Sequence, residues 1–442
     1  MHITRRRVLG GLAVAAGSLP LAALAQAQGP AGPSLLPGSG QDQTAALQQA
    51  LDRAALEGGS VYLAAGTYRI DTIRLPSGIS LSGIPGATIL VSMSGAPILT
   101  GRDASAISLS GLVLEGNGGG SADSRSGLLS LSGCEGVVVR DCQVRNGAGN
   151  GIFMFACSGL IDASGISGCA KTGLFSLDAT GLVVRGCRVD SCRNGGMRVW
   201  RSKSGHDGTI VSQNRIHEIA ADAGGNGENG NGINIFRADG VVVSDNVIEN
   251  CAFSAVRANS TNNSQIRGNT CTDLGEVAIY SEFAFSGSVI ANNIIDGAAL
   301  GISMTNFDNG GHLAVCSGNI VRNILPASRV NPDTSPVGIA AEADAVVTGN
   351  LIESVPGTGI AAGWGPYLRD VNISDNVIRD TEIGIAVSVA QGAGSAVVGG
   401  NLISGARQAG IAAMAWREIK SVDLAADADR FPNVTLSGNR VG

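Results

Sequence analysis

Two arginines and a tyrosine stand at matching places in a repeated sequence pattern, and together they could act on an acidic sugar. Arg198 and Arg257 are cations that could neutralise the carboxylate of a uronate. Tyr280 or His206 could then remove a proton from the sugar or donate one to the leaving oxygen. Charge neutralisation combined with general acid–base catalysis is the chemistry that a polysaccharide lyase or a C5-epimerase requires.

Two glutamates offer a second chemistry at the same places. Glu282 and Glu342 stand two repeats apart, which predicts a backbone separation of about 9–10 Å if the repeats stack as β-strands. That separation lies near the upper end of the range for the two carboxylates of an inverting glycoside hydrolase. The sequence therefore leaves hydrolysis, elimination and epimerisation open, and a protein without catalytic activity that binds a glycan or another protein is the alternative.

Aromatic and amide side chains accompany these candidates, although aromatic residues make up only 4% of the chain. Aromatic rings can stack on the apolar faces of sugars, and amides and hydroxyls can bind the sugar hydroxyls. No metal ligands and no cofactor are indicated, and a calcium requirement is left open. The residues predicted to bind substrate are Trp200, Asn234, Phe236, Asn259, Thr305 and Trp364.

A repeat of about 23 residues has to position all of these side chains, and such a period is typical of solenoid proteins. Each unit has a small residue followed by a short apolar strand, in which the position after the small residue points inward and the positions two and four after it point outward. The units that begin at Gly196 and Gly301 are enlarged by loops, as expected beside a binding surface. The small-residue column is Gly127, Gly151, Gly173, Gly196, Gly232, Ala255, Ala278, Gly301, Gly338, Gly359, Gly384 and Gly410.

A second column consists of asparagines, each followed by a pair that is usually aliphatic. Asparagine tolerates the left-handed backbone of a tight turn, and its amide can hydrogen-bond the equivalent amide one coil away. The two columns together predict an all-β, single-stranded parallel β-helix of about 12 coils with three strands per coil. The asparagines are Asn214, Asn246, Asn269, Asn293, Asn319, Asn350, Asn376, Asn401 and Asn439.

Residues 41–56 have apolar groups at helical spacing and predict an amphipathic helix that caps the first coil. The order D-x-T-x-A-L-x-x-A-L followed by G-G-x-V-x-L-x-x-G-x-Y, over residues 42–68, resembles the opening of the pectate-lyase superfamily of right-handed parallel β-helices. The family often has proline where Ala64 or Ala65 stands here. When the repeats are included with this opening motif, the resemblance covers residues 41–442. It implies a polysaccharide groove on the outward face of the first strand of each coil.

Signatures of individual families within that superfamily are missing from the chain. The Asn-Thr-Asp, Asp-Asp and Gly-His-Gly motifs of polygalacturonases are absent, and so are the Asp-Pro-His motif of alginate epimerases and the acidic cluster that holds calcium in pectate lyases. The resemblance therefore implies an exported carbohydrate-active protein that binds, and cleaves or epimerises, an acidic polysaccharide, without assigning one reaction.

The first 27 residues predict an export signal. Arg5, Arg6 and Arg7 form a twin-arginine motif ahead of a weakly apolar stretch, and residues 28–40 have the Gly, Pro and Ser content of a linker. This signal and the repeats resemble twin-arginine-exported repetitive proteins of unknown function. The expected location is periplasmic or secreted, after contact with the twin-arginine translocation machinery and without membrane attachment once the signal is cleaved.

Charge and cysteine content restrict the partners further. The net charge is −6, and the chain without the three arginines of its signal would carry −9, which argues against a nucleic-acid ligand. The nine cysteines are an odd number, and folding before twin-arginine export would occur in a reducing compartment. We therefore expect buried free thiols rather than a disulfide framework, and the oligomeric state is left open.

Overall fold

The computed structural model describes residues 37, 40–95, 97–118, 125–225 and 227–442. The predicted signal, residues 1–27, lies outside the described residues, and so does all of the predicted linker except residues 37 and 40. After one helix, the chain winds into a parallel β-solenoid of about 14 turns. Each turn contributes three short strands, which pair in parallel with the equivalent strands of the turns before and after it. The fold prediction is confirmed, with two more coils than the sequence indicated.

The strands form three sheets that we number by their order after the small residue. Sheet 1 comprises Ile73–Arg74, Leu99–Arg102, Gly127–Ser132, Asn150–Phe155, Thr172–Leu177, Gly195–His206, Ile233–Asp239, Val256–Asn259, Val277–Glu282, Leu300–Met304 and Val337–Ala341. Sheet 2 comprises Ser60–Tyr62, Ser80–Ser82, Ser108–Ser110, Val137–Arg140, Gly159–Asp162, Val183–Arg185, Ile210–Ser212, Val242–Ser244, Asn262–Arg267, Ser286–Ala291, His312–Ser317, Ala343–Thr348, Arg369–Ser374, Ala396–Gly399 and Val434–Ser437. Sheet 3 comprises Gly66–Ile70, Thr88–Ser92, Leu112–Glu115, Gln143–Arg145, Gly165–Ser167, Arg188–Asp190, Arg215–Ile219, Val247–Cys251, Thr270–Leu274, Ile294–Asp296, Ile320–Arg322 and Arg440–Val441. Three longer strands run from sheet 3 into sheet 1 without a break, namely Leu351–Ala362, Val377–Ser388 and Leu402–Ala415.

The small-residue column sits where the chain turns from sheet 3 into sheet 1. A Cβ added to Gly384 would lie 2.5 Å from the carbonyl oxygen of Gly410 in the next coil, so the stacking distance there excludes a larger side chain. The position after each small residue faces the interior, as predicted, and Ile152 and Ile385 are completely buried. The prediction was wrong for one member of the column. Gly127 pairs with Asn150 rather than with Gly151, so the first predicted strand is displaced by one residue.

The asparagine ladder forms between sheets 2 and 3. Asn293, for example, donates from Nδ2 to Oδ1 of Asn319 at 2.9 Å and to the carbonyl oxygen of Ile266 at 3.0 Å. Its own Oδ1 accepts hydrogen bonds from the backbone N–H and the Nδ2 of Asn269. The amides are thus buried with their hydrogen bonds satisfied, which is the condition for placing polar groups in a core.

Both ends of the solenoid are covered. The helix Thr44–Glu57 buries Leu47, Leu51 and Ala54 against the first coil, which confirms the predicted cap. At the other end, strand Glu418–Ser421 pairs antiparallel with the last strand of sheet 1, and a short 3₁₀ turn follows at Ala428–Arg430. A second 3₁₀ turn, Phe307–Asn309, lies within the solenoid between Leu300–Met304 and His312–Ser317. In the described part of the chain, no helix has the length and apolar character needed to cross a bilayer.

All nine cysteines are buried and unpaired, as the sequence predicted. Burial raises the pKa of the Cys142 thiol to about 11, so the reactive thiolate is suppressed near neutral pH. Cys169 and Cys192 stack in adjacent coils and belong to the same continuous hydrophobic core. The thiols therefore behave as small apolar side chains that fill the interior.

Candidate functional site

A groove of about 740 Å³ lies over the outer face of sheet 1 in the C-terminal half of the solenoid. Its floor follows one register column, in which each side chain pairs with its equivalent in the next coil, and four such steps span about 20 Å. One edge is the loop that precedes Val337, and the other edge is formed by the turns that follow sheet 1. The floor column is Tyr280, Ser303, Ala340, Ala361 and Ala386.

Glu342 is a buried carboxylate that lines this groove. Its side chain is 8% exposed, and Oε2 accepts a hydrogen bond from the backbone N–H of Phe307 at 2.7 Å. Burial raises the pKa of Glu342 to about 7, and the neighbouring charge of Asp308 acts in the same direction. A carboxyl group with a pKa near 7 can exchange a proton at neutral pH, which suits a general acid or base.

Arg257 forms salt bridges with two glutamates. It donates two hydrogen bonds to Glu282, at 2.7 Å from Nε and 2.6 Å from Nη2, and one at 3.0 Å to Oε2 of Glu276. Asn259 adds a hydrogen bond to Glu282, and Asn331 adds one to the second oxygen of Glu276. Burial alone would lower the pKa of Arg257, but the hydrogen bonds and charges of the two glutamates outweigh it and raise the pKa. The positive charge of Arg257 is therefore neutralised by glutamates of the protein itself.

Tyr280 lies between Arg257 and the groove. The guanidinium carbon of Arg257 is 5.1 Å from the centre of the Tyr280 ring. The Tyr280 hydroxyl donates a hydrogen bond to Oδ1 of Asn306 at 3.2 Å. Burial raises the pKa of Tyr280 to about 12. The phenol is therefore protonated at neutral pH, where it can donate a hydrogen bond but is a weak base.

Arg198 belongs to a separate cluster, outside the groove. Its guanidinium bonds Oε1 of Glu228 at 3.1 Å and Oδ1 of Asn229 at 2.7 Å, and it stacks 5.0 Å from the ring centre of Trp200. Burial lowers the pKa of Arg198. The glutamate and asparagine come from the loop before Ile233, which lies over this arginine and removes it from solvent.

The remaining predicted binding residues divide between the two places. Trp200 donates to Oδ1 of Asn234 at 2.7 Å and packs edge-to-face with Phe236, so these three accompany Arg198. Thr305 and Trp364 line the groove. The cluster around Trp200 continues toward the N-terminus along sheet 1, where the rings of Phe153 and Phe175 and the side chain of Leu177 are buried against one another.

His206 does not join either cluster. Its exposed ring lies against Gly208 and Gly240 at the turn after sheet 1, three coils before the strand that contains Tyr280. Three coils correspond to about 14 Å along the solenoid, too far for direct proton transfer at the groove.

The structure adds groove residues that the sequence did not single out. Glu276 precedes its small residue by two positions, so the alternation rule applied backwards along the strand could have identified it. Asn331 and Asp333 lie on a loop without a repeat, and Trp416 lies in the turn between strands Leu402–Ala415 and Glu418–Ser421. In the described ranges, no three histidine, cysteine, aspartate or glutamate side chains converge as a metal site would require.

Comparisons with known proteins support the same architecture. The family described as "Right handed beta helix region" matches residues 98–224 and 202–368, and the family described as "Rhamnogalacturonase A/epimerase, pectate lyase-like" matches residues 35–106. No curated protein sequence matches the chain.

Several solved structures are similar to this chain at low sequence identity. The surface adhesin PfbA of Streptococcus pneumoniae is 14% identical with a TM-score of 0.49, over 86% of this chain and 91% of the adhesin. The GH87 α-1,3-glucanase catalytic unit of Streptomyces thermodiastaticus is 15% identical with a TM-score of 0.47, over 91% of this chain and 67% of the glucanase unit. The A-module of the mannuronan C-5 epimerase AlgE6 of Azotobacter vinelandii is 17% identical with a TM-score of 0.40, over 91% of this chain and 96% of the module.

The stacked three-strand coils, the asparagine ladder, the helical cap and the family match over more than half of the residues agree with one another. On this evidence the chain belongs to the right-handed parallel β-helix family and has the features of its pectate-lyase-like superfamily.

Proposed function

We propose that this protein is carbohydrate-active, that it binds a polysaccharide in the groove over sheet 1, and that Glu342 is the general acid of a cleavage reaction. The observation on which this proposal depends is the buried carboxyl group of Glu342 on the wall of an open groove, with its pKa raised to about 7. A structural carboxylate is normally either exposed or paired with a cation, because burying an unpaired charge is costly. Protonation of Glu342 reduces that cost and leaves a proton available for a leaving oxygen.

Hydrolysis is the reaction that the remaining groups support best. Glu276 lines the same groove in a coil two steps from Glu342, and Arg257 and Asn331 hold its two oxygens. Two steps correspond to about 9–10 Å along the solenoid axis, and the two residues stand at opposite ends of their sheet 1 strands, so their carboxyl groups flank the groove from its two edges. In this proposal Glu342 protonates the glycosidic oxygen, while Glu276 accepts a proton from the attacking water.

Elimination or epimerisation has weaker support. Those reactions need a cation on the uronate carboxylate, and both predicted cations, Arg198 and Arg257, already bind glutamates. They also need a base, whereas Tyr280 has its pKa raised by burial to about 12. A binding protein without catalytic activity is the second candidate, since the exposed rings of Trp364 and Trp416 beside the groove would serve binding alone.

Export remains a part of this proposal. The arginines at positions 5–7 and the apolar stretch after them support passage through the twin-arginine translocation machinery. The protein would then meet a polysaccharide in the periplasm or outside the cell. The "Rhamnogalacturonase A/epimerase, pectate lyase-like" match at residues 35–106 agrees with a carbohydrate substrate, although it ends before the groove begins.

The test is a screen of the purified protein, residues 28–442, against neutral and uronate polysaccharides. Release of reducing ends without ultraviolet absorbance of an unsaturated sugar is expected for hydrolysis. Glu342→Gln should abolish turnover and retain binding, because glutamine keeps the shape but holds no transferable proton. Binding without turnover would support the second candidate, and an active Glu342→Gln variant would refute the role of this residue.

A further inference from the structure

The ionisable groups that line the groove are predominantly acidic. Among the described residues they are Glu276, Asp333 and Glu342, together with Arg417 as a cation at the C-terminal end and the neutral phenol of Tyr280. A polyuronate would place one negative charge on each sugar unit beside Glu276 and Asp333, and beside Glu342 at the pH values where that carboxyl group is ionised. Like charges at short range repel, and the repulsion is strongest where water is excluded.

The nearest buried cation does not offset this acidity. All the groups that Arg257 bonds belong to Glu276 and Glu282, so a uronate would have to displace an internal bidentate partner. The cluster of one arginine and two glutamates has a net negative charge even when its hydrogen bonds are complete. The charge that a polyuronate needs as its complement is therefore missing from the centre of the groove.

The C-terminal end of the groove is instead aromatic and exposed. Trp364 and Trp416 are 43% and 48% exposed, and their ring centres lie 5.7 Å apart at an angle of 83°. Trp416 occupies a left-handed turn with φ of 56°, and its ring lies on the backbone of Gly365, where a Cβ would come within 2.5 Å. Holding a bulky residue in this conformation is costly, and the packing of the ring on Gly365 and against Trp364 helps to offset that cost.

The floor between these rings and Tyr280 is made of small side chains. Ala340, Ala361 and Ala386 succeed one another in register and leave a flat apolar strip beneath the acidic edges. A pyranose presents an apolar face and a rim of hydroxyls, which fits rings and alanines below and carboxylate acceptors at the sides.

We propose that the groove selects an uncharged polysaccharide over a polyuronate, and that the Trp364–Trp416 pair is the stacking platform for one end of the bound chain. This inference rests on the proposed function, because it names the substrate class of the same groove. It replaces the acidic polymer that the sequence alone suggested. The carboxylates accept hydrogen bonds from sugar hydroxyls, and the indole rings supply the apolar contact.

The experiment is affinity electrophoresis of the purified residues 28–442, run with the unmodified chain, which keeps every groove carboxyl group, and in parallel with Glu342→Gln, which disables the catalytic step. Matched polymers are polygalacturonate and its fully methyl-esterified form, which share a backbone and differ in charge. Alginate, α-glucan, β-glucan and mannan widen the panel. Retardation by one or more uncharged polymers, and weaker or no retardation by the polyuronates, is the expected result.

Two variants test the platform. Trp364→Ala and Trp416→Gly should each weaken binding of the retained polymer roughly tenfold, the loss expected for one ring stacked on a sugar. Glycine suits the left-handed turn, so the second variant should keep its melting temperature. Phe155→Ala, which removes an exposed ring from the same sheet outside the groove, is the matched control and should bind normally.

The outcomes separate the two claims. Preferred binding of polygalacturonate or alginate would overturn the uncharged class while leaving the groove as a polysaccharide site. Binding of an uncharged polymer that neither tryptophan variant weakens would overturn the platform. Binding of no polymer in the panel would overturn the proposed function and this inference with it.

Discussion

Replacing Glu342 by glutamine should change how the stability of the protein depends on pH. The carboxyl group has an ordinary pKa of 4.5, and burial raises it to about 7 in the folded protein. The folded state therefore binds the proton more tightly than the unfolded state. This contribution to stability is complete below about pH 4.5 and is lost as the pH rises through about 7.

The magnitude follows from the shift in pKa. A difference of about 2.5 pKa units corresponds to about 3 kcal/mol between acidic and mildly alkaline solution. With an unfolding entropy of about 2 cal/mol/K per residue, a chain of this length would convert that free energy into a difference of about 4 °C in melting temperature. Glutamine cannot titrate, so Glu342→Gln should lose this part of the pH dependence, whatever constant offset the substitution adds.

The assay is thermal unfolding followed by circular dichroism from about pH 4 to about pH 8 in one buffer series. The variant's melting temperature should rise relative to the wild type by about 4 °C across that range. Glu57→Gln, at the exposed end of the cap helix, is the matched control and should follow the wild-type profile. Parallel profiles for the wild type and Glu342→Gln would refute the raised pKa and with it the proposed acid.

Three other substitutions or reagents test the framework. Arg257→Met should lower the free energy of unfolding by about 3–5 kcal/mol near neutral pH and by less in acid, because two glutamates lose their cation. Chemical unfolding measures both losses, and equal losses at the two pH values would contradict this reasoning. Asn293→Ala should cost about 2–5 kcal/mol, since buried ladder partners lose hydrogen bonds, whereas Asn372→Ala on an exposed face of sheet 2 should cost little in the same unfolding assay. The nine thiols should resist a maleimide in the native protein and all react after denaturation, as mass spectrometry would show; modification of the native protein would mean that the core is open.

The residues that sequence reasoning placed correctly are those whose position depends only on the repeat. Ile152 and Ile385 face inward and Asn293 joins the ladder because each coil repeats the same backbone path, so spacing along the chain becomes position in space. The same logic put Arg257, Tyr280 and Glu282 on one face. It was less reliable near the start, where Gly127 is displaced by one residue and the earliest coils lack the small residue.

The partners of the charged side chains followed a different rule. Arg198 and Arg257 were predicted to face a substrate, yet loops of no repeating sequence bring Glu228 over the first, and a corner residue, Glu276, against the second. Two arginines with the same place in the repeat thus acquire different surroundings, because loops and corners add partners that the register does not specify, whereas Glu282 meets Arg257 from the next strand of the same sheet.

The sequence by itself determined the parallel coils, the asparagine ladder, the cap helix and the sheet that faces outward as a candidate groove. The coils, the ladder and the outward face are periodic, because hydrophobic burial and amide hydrogen bonding recur from one coil to the next. The cap helix follows from the local spacing of its apolar residues. Only the tertiary structure decided that Glu342 is buried beside Phe307, that Arg257 is neutralised from within, and that Trp364 meets Trp416. The physical reason is that each of these contacts joins side chains from different coils, and the repeat fixes where the backbone lies but not which neighbouring side chain a charged or aromatic group meets.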